Sequence, residues 1–239
     1  MKKVCLVFST GRCGTAFISQ LFSGVKWTRE SKSKLHLNDD VISCHERGFG
    51  IAKTIPKLKS CLFGSDESLD IQTKFVRNML KEIDSEIPSY HTLILSHMSI
   101  GRYTSHCLEK LDNVDYRILH VHRNPNEIAQ SYKERLNDGK KIGRSWNIIL
   151  NNPFEKSAIN RLDKSKWDNM NFTNQMLWFC KETEDQWDHL NTMLDPTKLL
   201  SIDFKTMFSD ESRKSMADFF GVQHYTKHLE KANVRDKSQ

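Results

Sequence analysis

The sequence lacks any apolar run long enough to cross a membrane. A spanning helix needs about 20 consecutive apolar residues, and no stretch of this 239-residue chain approaches that length. The first apolar segment, residues 4–8, is also too short for the core of a signal peptide, and it leads directly into a glycine-containing loop. These absences predict a cytoplasmic protein with no membrane span.

Cysteine and metal-ligand patterns are also missing. The six cysteines include no C-x-x-C pair and no zinc-like spacing, and no group of His, Asp and Glu has the spacing of metal ligands. The sequence therefore predicts no metal. The cysteines are predicted to be reduced thiols, as expected in a reducing compartment.

The chain contains no internal repeat, no low-complexity tract and no long basic run. Its 38% hydrophobic and 28% charged residues are typical of a globular protein, and its length suits one domain over 1–239. The net charge of +6 is spread along the chain. A mild, scattered excess favours an anionic small ligand and does not indicate nucleic-acid binding. Composition leaves the oligomeric state open.

Strand-like and helix-like segments alternate along the chain. This order predicts an α/β domain with a central, mostly parallel sheet flanked by helices. Ligands of such sheets bind beyond the carboxyl ends of the strands. The segment 137–171 is polar and irregular, and it could be a lid, an acceptor-binding insertion or a surface excursion. The predicted strands are 3–8, 41–44, 92–96, 116–121 and 198–202, and the predicted helices include 16–22, 125–135, 172–194 and 212–220.

A glycine loop follows the first strand and precedes the first helix. The loop reads Ser-Thr-Gly-Arg-Cys-Gly-Thr over residues 9–15. Backbone N–H groups in such a loop, together with the positive end of the helix, can bind an anion. Arg12 adds a permanent charge, although a plain turn capped by Thr15 is also possible. No lysine follows Gly14, so the nucleotide triphosphatase motif is absent and ATP or GTP hydrolysis is disfavoured.

A second anion site is predicted at the end of the fourth strand. In the segment 120–132, Asn124 can cap a helix, Pro125 suits its first position and Glu127 can complete a capping box. Capping does not explain Arg123, a charge at the end of an apolar strand, or Ser131 in the helix that follows. An arginine beside a helix N-terminus is suited to a phosphate.

These two motifs resemble the nucleotide-binding motifs of sulfotransferases. The resemblance implies a P-loop-like sulfotransferase fold and an enzyme that moves a sulfuryl group from 3′-phosphoadenosine 5′-phosphosulfate (PAPS) to a hydroxyl or amine, leaving PAP. It places Arg12 at the sulfate, loop residues at the 5′-phosphate, an aromatic residue against adenine, and Arg123 and Ser131 at the 3′-phosphate. The nucleotide-binding residues implied are Gly11, Arg12, Cys13, Gly14, Thr15, Ala16, Phe17, Arg123 and Ser131. The acceptor, a small molecule or a glycan, is not identified.

The resemblance is incomplete outside these motifs. Cys13 and Ala16 stand where Ser and Thr are commoner, and Phe17 could be a core residue of the first helix instead of an adenine contact. The C-terminal glycine-rich nucleotide motif of cytosolic members is absent. Basic residues of the C-terminal tail, Lys231, Arg235 and Lys237, could replace it or form a solvated tail.

The acceptor must lose a proton, so a base is needed near the glycine loop. Glu46, after the second predicted strand, resembles the glutamate of protein-tyrosine and several bacterial-type sulfotransferases. His97, after the third, resembles the histidine of cytosolic members. The arginine in the loop favours Glu46 slightly, and together with Arg12 these residues form the predicted catalytic group. Two alternatives remain: a P-loop nucleotide-dependent phosphotransferase, and a nucleotide-binding protein without catalysis.

Overall fold

The structure is a computed structural model that describes residues 1–25, 34–45, 47–137 and 152–226. The elements in chain order are β1 (Lys2–Phe8), α1 (Thr15–Ser23), β2 (His36–Asn38), β3 (Val41–Cys44), α2 (Ile51–Ser60), α3 (Asp66–Glu86), β4 (Thr92–Leu95), α4 (Met98–Thr104), β5 (Val114–His122), α5 (Pro125–Asn137), α6 (Lys164–Asp168), α7 (Phe172–Met193), β6 (Leu199–Asp203) and α8 (Asp210–Phe220). Short 3-10 turns cover Ser105–Lys110 and Pro196–Lys198.

The strands form one six-stranded sheet in the order β2-β3-β4-β1-β5-β6. All neighbouring pairs are parallel except the edge pair β2 and β3. The predicted α/β fold with a mostly parallel sheet is therefore confirmed. Strand β2 was not predicted, because its three residues, His36–Asn38, are too few to give a clear pattern.

The central strand β1 divides the core into two layers. Its residues from Val4 to Phe8 are fully buried, as expected for a strand with helices on both faces. Alternate side chains point to opposite faces of a strand. Val4, Leu6 and Phe8 thus pack with residues of α3, whereas Cys5 and Val7 pack with residues of α1 and α8.

The parallel topology brings five strand ends to one edge of the sheet. Strands β1, β3, β4, β5 and β6 run in the same direction, so the loops that follow them all lie at the carboxyl edge. Helix α4 approaches this edge closely because Gly101 has no side chain: a Cβ there would lie 2.0 Å from the carbonyl oxygen of Val7. The start of α4 is thereby held beside the loop that follows β1.

The polar segment 137–171 contributes to the core in its second half. Residues 138–151 lie outside the described residues. After them, Trp167 of α6 packs edge-on against Trp178 of α7, with ring centroids 5.2 Å apart. The buried carboxylate of Glu182 accepts hydrogen bonds from the backbone N–H groups of Ile159 (2.9 Å) and Asn160 (2.8 Å). Residues 152–171 are therefore anchored to α7, and whether 137–171 acts as a lid stays a prediction.

All six cysteines are buried and none forms a disulfide. Within the described segments, no helix has the length and apolarity needed to span a membrane.

Candidate active site

The glycine loop has a left-handed backbone at three positions. Gly11, Arg12 and Gly14 have φ values of 77°, 58° and 73°. A Cβ on Gly11 would lie 2.6 Å from Met98 Sδ and 2.7 Å from Tyr132 Oη. Gly11 is therefore required both by its φ and by the close approach of α4 and α5.

Helix α1 begins directly after this loop without a side-chain cap. Gly14 is the N-cap residue, and no side chain accepts a hydrogen bond from the first turn. Thr15 is therefore not the N-cap residue of α1. The first N–H groups of a helix have no partner inside the helix, so the start of α1 presents backbone donors and a positive helix end to an anion.

Buried side chains hold the loop from inside. The Sγ of Cys13 donates to the carbonyl oxygen of Gly11 at 3.1 Å and lies 3.2 Å from Thr10 Oγ1. Burial raises the pKa of the Cys13 thiol to about 11, so it remains protonated at neutral pH. Cys13 therefore supports the loop as a small neutral hydrogen-bonding residue.

The second motif meets the first although they are far apart in sequence. Arg12 Nε donates to Ser131 Oγ at 3.1 Å. Arg123 Nη1 donates to the carbonyl oxygen of Arg12 at 2.8 Å, and Tyr132 Oη donates to that of Thr10 at 2.9 Å. The guanidinium groups of Arg12 and Arg123 and the hydroxyl of Ser131 thus lie together at the ends of β1 and β5.

Arg123 is held on three sides. Besides its bond to the loop, its Nε donates to Glu127 Oε2 at 3.1 Å, and its guanidinium lies 4.2 Å from the ring centroid of Phe204. Hydrogen bonds from Arg123 and then Lys205 lower the pKa of Glu127. The capping-box role predicted for Glu127 is wrong, because its side chain pairs with these cations. Asn124 does cap α5, as predicted, by accepting from Asn126 N at 2.9 Å.

A cavity of about 410 Å³ opens beside Arg123 at the ends of β5 and β6. Its walls carry both charge signs, since Glu184 and Asp203 face it together with Arg123 and Lys205. Asp203 is already engaged, because His122 Nε2 lies 2.9 Å from its Oδ2. The complete lining is His122, Arg123, Asn124, Pro125, Glu184, Asp203 and Lys205.

Phe17 does not present a stacking surface. It is 1% exposed and packs edge-on against Phe208, with centroids 4.8 Å apart. The adenine contact suggested by the resemblance has no open ring face here, since Phe17 belongs to the core around α1. Thr15 is buried and Ala16 is partly exposed at the start of the same helix.

The structure describes only one of the two predicted bases. Glu46 lies outside the described residues. His97 is half-buried two residues after the end of β4, and its Nδ1 accepts from the backbone N–H of Ser99 at 3.2 Å. The residue before Glu46, His45, has its Nδ1 3.0 Å from Ser96 Oγ. The ends of β3 and β4 thus bring two imidazoles to the edge that carries the glycine loop.

Sequence reasoning missed the aromatic and sulfur neighbours of the two motifs. Met98 packs against the glycine loop, and Phe204 lies under Arg123. Phe204 could have been suspected, since it is an aromatic residue directly after a strand with an acidic end. Met98 gives no such signal. Among the described residues, no three His, Cys, Asp or Glu side chains lie close enough together to hold a metal ion.

Comparison with known proteins gives a structural likeness without a sequence match. No protein-family model and no curated protein matches the sequence. The structure is similar to a sulfotransferase from Alicyclobacillus acidocaldarius, with a TM-score of 0.54 and 15% identity over 98% of this chain and 87% of that one. This likeness shows that the chain has the sulfotransferase fold.

Two further solved structures are similar over most of the chain. The sulfotransferase domain of the Synechococcus PCC 7002 olefin synthase has a TM-score of 0.48 and 12% identity, covering 93% of this chain and 74% of that one. The sulfotransferase domain from the curacin biosynthetic pathway has a TM-score of 0.45 and 12% identity, covering 95% and 76%.

Proposed function

We propose that this protein is a PAPS-dependent sulfotransferase. The observation that carries the proposal is the meeting of the two motifs, in which Arg12 Nε donates to Ser131 Oγ and Arg123 Nη1 donates to the Arg12 carbonyl. A donor with a 5′-phosphosulfate and a 3′-phosphate suits a site that joins a glycine loop to an Arg–Ser pair. The fold supports the same proposal, because it is shared with sulfotransferases.

In the proposed reaction, an acceptor oxygen or nitrogen attacks the sulfur of PAPS in line with the leaving phosphate. The bond between sulfur and the bridging oxygen breaks, PAP leaves with the electron pair, and the acceptor proton passes to a base. Negative charge builds on the leaving oxygen. Arg12 and the backbone N–H groups from Gly14 to Ala16 would stabilise that charge, as preorganised donors do at an oxyanion.

Arg123 and Ser131 would bind the 3′-phosphate. The guanidinium of Arg123 is already oriented by Glu127 and Phe204, so little side-chain entropy would be lost when a phosphate binds. Because Phe17 is buried, the proposal gives it a supporting role beneath the loop in place of adenine stacking.

Glu46 is the proposed base, with His97 as the alternative. The acceptor is a small molecule or a glycan with a hydroxyl or amine. A nucleotide phosphotransferase fits less well, because the loop has no triphosphatase lysine. A binding protein without catalysis would share the nucleotide site but would not cleave PAPS.

Titration calorimetry with PAP and 5′-AMP tests the proposal, since these nucleotides differ only in the 3′-phosphate. We expect PAP to bind at least about tenfold more tightly, because charge-assisted hydrogen bonds contribute about 1.5–3 kcal/mol. Ser131→Ala should reduce that ratio, whereas Ser201→Ala, on the adjacent strand β6, should not. Equal affinities for PAP and 5′-AMP in the unmodified protein would refute the proposal.

A further inference from the structure

One carboxylate bridges two cations beside the second motif. Glu127 Oε2 accepts from Arg123 Nε at 3.1 Å, and Glu127 Oε1 lies 3.3 Å from Lys205 Nζ. The two positive charges therefore share a single negative charge. An arginine binds the oxygens of a phosphate with the same donors that it uses for a carboxylate. Glu127 thus occupies the position between the two cations that a phosphate would take.

Glu127 also lies on the same side of α5 as Ser131. The two residues are four positions apart, and residues at this spacing are neighbours on the surface of a helix. Ser131 Oγ accepts a hydrogen bond from Arg12 Nε at 3.1 Å. The bridging carboxylate is therefore on the turn of α5 next to the contact that joins the two motifs.

The turn after β6 holds Lys205 close to Arg123. The residue before Lys205, Phe204, lies under the guanidinium of Arg123, whose centre is 4.2 Å from the ring centroid. Later in the same turn, Met207 packs against the glycine loop, where a Cβ built on Gly14 would lie 2.8 Å from its Sδ. The turn thus contacts both motifs, and its backbone fixes where the Lys205 side chain begins.

Both cations line the cavity of about 410 Å³, and 68% of the Lys205 side chain is exposed. A solute can therefore reach them. The two acids of that cavity have other contacts: Asp203 Oδ1 accepts from the backbone N–H of Lys205 at 2.6 Å, and Glu184 Oε1 lies 3.4 Å from His120 Nε2. The acid that pairs with both cations is Glu127.

We propose that Lys205 and Arg123 together bind the 3′-phosphate of the donor, and that Glu127 occupies their site in the free protein. This inference rests on the proposed function. A phosphate monoester carries up to two negative charges at neutral pH, so it neutralises both cations, whereas one carboxylate cannot. The side chain of Glu127 is 37% exposed, and the displaced carboxylate turns toward water. No covalent bond changes in this exchange.

Titration calorimetry with PAP and 5′-AMP measures the role of Lys205. We expect Lys205→Gln to weaken PAP binding about three- to tenfold, the effect of one largely exposed charge facing a phosphate, and to change 5′-AMP binding less than about twofold. Lys205→Arg keeps the charge and should keep the PAP affinity. The matched control is Lys214→Gln on α8. Lys214 is similarly exposed, at 71%, and pairs with Asp218, and its loss should change neither affinity.

Glu127→Gln separates an exchange from a merely structural role. A neutral amide does not compete with a phosphate for two cations, so PAP should bind about three- to tenfold more tightly, with 5′-AMP unchanged. If Glu127 served only to position Arg123, its loss would weaken PAP binding instead. The variants Lys205→Gln and Glu127→Gln should therefore shift the PAP affinity in opposite directions.

The proposal is overturned if Lys205→Gln leaves the PAP affinity unchanged or lowers both affinities equally, or if PAP binding does not tighten in Glu127→Gln. Thermal unfolding of each variant checks that an affinity change does not come from misfolding. The proposed function fails separately, if the unmodified protein binds PAP no better than 5′-AMP. A full preference for PAP that survives in Lys205→Gln refutes only the role of Lys205.

Discussion

Arg12 combines an unfavourable backbone conformation with a side chain that reaches out of its own loop. Its φ of 58° lies in the left-handed region, which costs a residue with a Cβ roughly 1–2 kcal/mol. Arg123 stabilises this conformation by donating a hydrogen bond to the Arg12 carbonyl oxygen, and Ser131 Oγ accepts a hydrogen bond from Arg12 Nε. Strain of this kind persists where several contacts determine it and is common at functional sites.

Removal of the Arg12 charge should act mainly on the rate. We expect Arg12→Ala to slow single-turnover cleavage of [³⁵S]PAPS by roughly two to three orders of magnitude, the usual effect of losing a transition-state donor. Arg12→Lys should recover part of the rate, since lysine supplies a point charge without the forked donors. PAP affinity, measured in parallel, should fall much less. Native turnover by Arg12→Ala would mean that the loop is only structural.

Single residues were predictable where a charge interrupts an apolar pattern. Arg123 stands at the end of an apolar strand, and that conflict predicted a functional charge there. The structure places Arg123 at the carboxyl edge of the sheet, and the anion site itself stays a prediction. The partner of Glu127 was not predictable, because Glu127 stands three residues after the cap residue Asn124 and four after Arg123, and either spacing allows a contact. The sequence left Phe17 open between a core position and an adenine contact, since its packing partner Phe208 is far from it in sequence.

At the scale of elements, α4 and the glycine loop form one packed unit. The unit depends on Gly101, because a Cβ there would lie 2.0 Å from a backbone oxygen of β1. Backbone atoms cannot move aside as a flexible side chain can. The seven-residue helix Met98–Thr104 therefore holds both Met98 and His97 in place.

The substitution Gly101→Ala should destabilise the protein by at least about 2 kcal/mol, since overpacking typically costs 1–3 kcal/mol and here the contact is with backbone. Urea unfolding measures the loss. Gly48→Ala is the matched control, because its Cβ would be 3.4 Å from the nearest side-chain atom. If both variants unfold at the same urea concentration, α4 does not depend on Gly101.

Elements with a clear apolar pattern were predicted, and those without one were not. The strands β1, β3, β4, β5 and β6 were all expected, because buried parallel strands are nearly continuous apolar runs. Helix α2 carries a proline inside its span, Pro56, and α4 carries Gly101, so neither has a clear helical signal. The strand order is set by packing between distant segments and could not be read from the sequence.

At the scale of the whole molecule, a buried histidine should make stability depend on pH. Burial, and then the charge of His189, lower the pKa of His106 from 6.5 to about 3. Below about pH 6.5 the unfolded chain therefore binds a proton at His106, whereas the folded protein does not bind it until the pH approaches 3. The free energy of unfolding falls as the pH drops over this range. The slope is at most about 1.4 kcal/mol per pH unit, which amounts to about 2 kcal/mol between pH 7.5 and 5.

Urea unfolding at several pH values, with His106→Gln as the comparison, isolates this contribution. The variant cannot take up the proton, so its unfolding free energy should fall less steeply between pH 6.5 and 5. Lowered carboxylate pKa values, as at Asp115 and Asp185, act at more acidic pH and are shared by both proteins. Identical slopes in the two proteins would show that His106 is not kept neutral by the fold.

The central claim is that the carboxyl edge of the sheet is a PAPS site, and thermal unfolding with PAP, ATP or GTP tests it most directly. At a concentration 100 times its dissociation constant, a ligand that binds only the folded state stabilises it by about 2.7 kcal/mol. PAP should approach this value and raise the unfolding temperature by several degrees, whereas ATP and GTP at the same concentration should do much less, because Arg123 and Ser131 would lack the 3′-phosphate. Equal stabilisation by ATP and PAP would contradict the assignment.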